Sequence, residues 1–101
     1  MFRVNVDSFL NGDQVEIDQV SREITQQMGR LTGHRAGIVL TFGTADNPGI
    51  ASRLSKQFNQ ILRTTLPDVV EATTVTRDYI QLTGDPSQQG VIEVEVYVYT
   101  Q

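Results

Sequence analysis

The sequence predicts a two-layer α/β (α+β) sandwich with elements in the order βαβαββ: a mixed four-stranded sheet carrying two helices on one face. Three observations carry this expectation. Apolar and polar residues alternate near both ends of the chain. Apolar residues recur at three- and four-residue steps in two middle segments. An apolar run at 37–42 lies between those segments. With 101 residues and no linker-like stretch, the chain is sized for one domain over 1–101.

Phe2, Val4 and Val6 alternate with Arg3, Asn5 and Asp7, which predicts a first strand over 2–7 extending toward Leu10. Asn11-Gly12 then reads as a hairpin turn, with 14–17 as a return strand. The same residues also read as a helix start. Asp13 and Glu16 have capping-box spacing, and Ile17, Val20, Ile24, Met28 and Leu31 form a helical stripe. Val15 lies opposite that stripe, so the first helix is placed over 18–31 and 13–17 stays open between the two readings. Gly33 marks its stop.

The segment 37–42 is too apolar for an exposed edge and is expected as a central strand. Asn47 is the expected N-cap of the second helix, with Pro48 in its first turn. Ile50, Leu54, Phe58, Ile61 and Leu62 form its buried stripe, and Leu66-Pro67 ends it. A third strand is expected within 70–82, and a turn over 84–90 leads to a fourth over 91–99. In that last strand Ile92, Val94, Val96 and Val98 face the core, while Glu93, Glu95, Tyr97 and Tyr99 face outward. Leu40, Leu54, Phe58, Ile24 and Val96 are expected in one core. Two helices on one side leave the other sheet face open, with Arg3, Asn5, Thr73, Val75, Arg77, Tyr79, Glu93, Glu95, Tyr97 and Tyr99 as its expected occupants.

Charge is segregated along the chain. Residues 1–18 set Arg3 against Asp7, Asp13, Glu16 and Asp18, a net of −3. Residues 19–67 carry +4, from Arg22, Arg30, Arg35, Arg53, Lys56 and Arg63 against Glu23 and Asp46. Residues 68–101 carry −5, Arg77 facing six carboxylates. Fields of this kind orient encounters with a charged partner or a second copy. Residue by residue, the simpler reading is a solvated helix face, with Arg63 favourably placed near a helix C-terminus. A sequence pI near 4.7 and the lack of a basic run argue against nucleic acid.

The composition excludes several chemistries. There is no cysteine and only one histidine, His34, so thiolate nucleophiles, zinc–thiolate and iron–sulfur sites and two-histidine metal motifs are all ruled out. No metal or cofactor is expected. The charged alternation at 1–7 lacks the pattern of a secretory signal, and no stretch approaches a membrane span, so a cytoplasmic location is the expectation.

One segment resembles a binding turn. At 43–49 the turn offers N–H groups at a helix N-terminus, with Thr41, Thr44, Asp46 and Asn47 as candidate ligand-binding residues. Asp46 already supplies a carboxylate there, which favours a capped helix over an anion site. No second catalytic group is identifiable beside Asp46, so the sequence names no catalytic residue and does not point to an enzyme. Residues 43–49 followed by Leu54-Ser55 resemble the strand–Asp–helix signature of peptidoglycan-binding OmpA-like domains, over about a fifth of the chain. Phe58-Asn59 stand where that family has its characteristic arginine, so the chain is not assigned to it. The expectation is a small module acting by protein–protein contact, through self-assembly or partner docking, with Tyr79, Tyr97, Tyr99 and Arg77 as interface candidates. The alternative is a small ligand-binding protein or oligomeric enzyme with its site at 41–49.

Overall fold

In the computed structural model, which describes residues 1–99, the N-terminal alternation is cut short at Asn5. The first strand, β1, is only Phe2–Arg3. The Asn5 side chain accepts the Ser8 N–H at 3.0 Å and opens a short helix, α1, over Val6–Leu10. The reason lies in Phe9, which is out of phase with Phe2, Val4 and Val6. An extended chain would turn it to the polar face, whereas the helical turn brings it inside, fully buried.

Asn11-Gly12 is consequently a corner between two helices and not a hairpin. Gly12, at φ 76°, closes α1. Asp13 then caps α2, Gln14–Met28, by accepting the Val15 N–H at 3.1 Å. Residues 14–17 thus belong to the helix, and Val15 points to solvent. Glu16 does not close a capping box: its Oε2 accepts the Asn5 N–H at 2.9 Å, tying α2 back to the start of α1. The helix gives way at Gly29 to a single 3-10 turn, Gly29–Leu31, and Gly33, at φ 96°, lies in the loop beyond.

β2 spans Ala36–Ala45, α3 Pro48–Thr65, β3 Val75–Leu82 and β4 Val91–Val98. The sheet runs β1-β4-β2-β3, with β2 parallel to β3 and antiparallel to β4, and β4 antiparallel to β1. The 37–42 run is internal, as its apolar character requires. α3 crosses over between β2 and β3, and its Asn47 cap accepts the Ile50 N–H at 3.1 Å. The architecture is the two-layer α+β fold expected, with three α-helices in place of two among the described residues and βααβαββ as their order.

One core joins Val20, Ile24 and Met28 of α2 with Leu54, Phe58, Ile61 and Leu62 of α3, with Phe9, and with Val39 and Ile92 of the sheet. The Phe2 ring meets Phe58 at 4.8 Å between centroids. Val96 packs at its border. Leu40 does not join it. In β2 the inward positions are Val39, Thr41 and Gly43, and Ile38, Leu40 and Phe42 occupy the other face. The phase is set by how near α3 lies. A Cβ on Gly43 would stand 2.4 Å from the Ala51 carbonyl oxygen, so only small residues fit beneath the helix.

The third strand starts at Val75 rather than near 70, because residues 66–74 form a pinned loop. Val69 and Val70 are buried in it, and the Val69 carbonyl accepts the Ala36 N–H at 2.8 Å. Arg63, read from the sequence as a solvated charge, donates to the Glu71 and Thr74 carbonyls. Thr74 in turn donates to the Ala36 carbonyl at 2.7 Å.

Candidate functional site

The four candidates at 41–49 do not converge. Thr41 is fully buried on the helix side and donates to Asn59, whose amide donates to Asp78 at 2.6 Å. Thr44 lies in register with Gln81 and donates to its side chain at 3.1 Å. Asp46 and Asn47 are exposed in the turn. The N–H groups that would cradle an anion are largely engaged. Asn47 Oδ1 takes the Ile50 N–H, and Gln89 Oε1 takes the Asp46 N–H at 2.8 Å. Ser55 Oγ takes the Gly43 N–H at 2.8 Å while donating to the Tyr79 carbonyl at 2.7 Å. Gln89 also donates to the Thr83 and Asp85 carbonyls, fastening the 83–90 connection across the end of β2. This end of the sheet is held together by its own polar groups.

Among the described residues, no helix lies over the opposite sheet face. Its strands set three cross-strand rows: Glu93, Phe42 and Tyr79; Glu95, Leu40 and Arg77; Tyr97, Ile38 and Val75. Phe42 and Tyr79 stack at 5.2 Å and 19°. Arg77 and Glu95 stand on either side of Leu40, so opposite charges flank an apolar stripe. Tyr97 is 54% exposed and donates its hydroxyl to Glu95 Oε1 at 2.8 Å. That hydrogen bond, with the carboxylate charge beside it, raises the phenol above its ordinary value.

Tyr99 continues the face past the end of β4. A Cβ on Gly37 would lie 3.2 Å from its ring, so the glycine at the irregularity between Ala36 and Ile38 makes room for it. The Arg35 guanidinium sits 5.0 Å from the Tyr99 ring centroid and 3.8 Å from Glu71. Arg77, Tyr79, Tyr97 and Tyr99 therefore all reach the open side. Asn5 and Thr73, expected there too, belong instead to a helix cap and to the pinned loop. The residues that sequence reasoning missed are Ile38, Leu40 and Phe42. Their signal was the pairing of small residues, Thr41 and Gly43 in the strand with Ala51 and Ser55 four apart on the helix.

A surface cavity of about 530 Å³ lies at the other end of β2, lined by Thr32, His34, Arg35, Asp68, Glu71 and Tyr99 among others. Both charge signs meet in it. Among the described residues no group of three or more His, Cys, Asp or Glu side chains is placed to hold a metal ion, and no helix is long and apolar enough to cross a membrane. The site is thus an open, mixed aromatic and charged sheet face on a small α+β fold. No known family model, curated protein or solved structure matches the chain.

Proposed function

We propose that this chain is a non-enzymatic module that acts by protein–protein contact through its open sheet face. The observation that carries the reading is the apolar stripe Ile38, Leu40 and Phe42, bordered by Tyr79 and Tyr97 and flanked by Arg77 and Glu95. Half-exposed aromatics around an aliphatic centre, with opposite charges at the margin, have the composition of a surface covered by another chain. A homo-oligomer or a protein partner fills it, and nucleic acid is disfavoured because Glu93 and Glu95 would repel phosphate. A cytoplasmic location belongs to the same proposal, and fractionation of producing cells tests it. The binding-turn alternative at 41–49 has less support, since its N–H groups are taken by Asn47, Ser55 and Gln89.

The test is the mass in solution and the recovery of a partner from native extract, for wild type and for Tyr79→Ser with Tyr97→Ser. The double variant loses association and keeps its circular dichroism. Unchanged association in that variant, or a wild type that stays monomeric and recovers no partner, refutes the reading.

A further inference from the structure

The two edges of the sheet are treated differently. β1 is two residues long and pairs with Val91 and Ile92, so β4 beyond them is open on that side, where Glu93 and Glu95 would set like charges against a second copy. β3 is eight residues long and in unbroken register with β2 from Val75 to Leu82. It contains no proline, glycine, lysine or bulge, and of the devices that blunt an open edge it has only the charges of Arg77 and of Asp78, the second turned to the helix side and held by Asn59. Side chains on both its faces are exposed: Val75 and Tyr79 at 44% on the open side, Ile80 at 44% and Leu82 at 58% on the helix side. The Thr83 N–H bonds the Ala45 carbonyl. In a parallel ladder that phase turns the backbone groups of residues 77, 79, 81 and 83 toward β2 and leaves those of Thr76, Asp78, Ile80 and Leu82 along the outer edge.

We propose that the occupant of this edge is β3 of a second copy, added antiparallel about a two-fold axis at Tyr79 so that two four-stranded sheets become one of eight. This rests on the protein-contact reading and names its partner. Charge selects the register. An axis at Arg77 sets arginine against arginine, and one at Asp78 sets aspartate against aspartate. An axis at Ile80 runs the pairing off the strand end at Gly84. With Tyr79 on the axis, Arg77 faces Gln81, Asp78 faces Ile80, Thr76 faces Leu82 and Val75 faces Thr83, so no like charges oppose. Arg77 and Asp78 also make the strand neutral, and two copies of it approach without the repulsion that the net charge of −4 would bring elsewhere. The paired edge is about 26 Å long. With side chains closing over both faces, it buries on the order of 1,000 Å², the lower bound of a specific interface. An isologous pair of this kind closes on itself and does not propagate.

The chain has no cysteine, so single cysteines report the geometry directly. On the axis, the two residues 79 form a non-hydrogen-bonded pair with Cα atoms about 4.5 Å apart, within reach of a disulfide. The two residues 75 stand eight positions apart, about 26 Å. The expected results are a wild-type mass twice 11.3 kDa, rapid oxidative cross-linking of Tyr79→Cys and none of Val75→Cys. Ile80→Lys is expected to be a monomer with unchanged circular dichroism. A dimeric wild type whose Tyr79→Cys variant does not cross-link overturns edge pairing, and if Tyr97→Ser dissociates that dimer the contact reading stands. A wild type that is monomeric at its highest soluble concentration overturns the second copy as occupant, whether or not another protein binds the face.

Discussion

Gly43 decides where α3 can lie. Replacing it with alanine drives a methyl group against the Ala51 carbonyl and the Ser55 hydroxyl, which stands 2.8 Å from the position of that methyl. Neither is the far end of a flexible chain, so the helix must move. Gly43→Ala is expected to cost about 1–3 kcal/mol, read from the urea midpoint. Tyr97 supports a prediction in pH. Its phenol is raised above 10.0 by the hydrogen bond to Glu95 and that carboxylate's charge, so the folded chain favours the protonated form. The contact therefore adds its stability below pH 10.0, and loses it as pH rises through the raised value. In Glu95→Ala the Tyr97 midpoint, followed by the ring's NMR shifts, is expected to move down toward the ordinary phenol value. An unchanged midpoint would mean that the two side chains do not meet in solution.

At the scale of elements, what was legible was what is locally determined. α3 begins and ends where its sequence says, because Asn47, Pro48 and Leu66-Pro67 act on their own neighbours. Asn47→Ala is expected to lower stability by about 1 kcal/mol. An unchanged melting curve would show the Asn47–Ile50 bond to be dispensable. The N-terminal alternation misled because its first three apolar residues fit a strand equally well until Phe9 breaks the phase, and that conflict is settled only by the core Phe9 joins. β2 hid its own phase: in a run apolar on both faces the hydrophobic pattern does not separate Leu40 from Val39, and the remaining sign is the small residues Thr41 and Gly43 opposite Ala51 and Ser55. The outward tyrosines and Arg77 were readable, since in β3 and β4 the alternation carries polar markers. The Arg63 contacts were not, because charge alone predicts solvent and the acceptors are backbone carbonyls eight and eleven residues away. Arg63→Ala removes the side-chain donor of the Thr74 carbonyl and leaves the Glu71 carbonyl with the Thr74 N–H alone, and is expected to cost about 1.5–3 kcal/mol, with faster hydrogen exchange at the Ala36 and Thr74 amides as the local signature.

For the whole molecule, the consequence of building on one sheet face is that a single layer of apolar contacts joins the helices to β1, β2 and β4, while β3 adds no buried side chain to it. Phe58 sits at its middle, fully buried, meeting β1 through Phe2 while α3 ties β2 to β3. Total stability for a chain of this size is of order 5–15 kcal/mol. Phe58→Ala, at roughly 3–5 kcal/mol, would therefore remove a large share of it, unlike any substitution on the open face. Because the two rings are in contact, Phe2→Ala and Phe58→Ala are expected to be non-additive, the double variant losing less than the sum of the singles by at least about 0.5 kcal/mol. Urea unfolding of the four proteins, followed by circular dichroism and by tyrosine fluorescence, measures the cycle and checks that both probes share one transition. Strict additivity would place β1 outside the cooperative core. A loss below about 1 kcal/mol for Phe58→Ala would be incompatible with a helix layer packed on this side of the sheet.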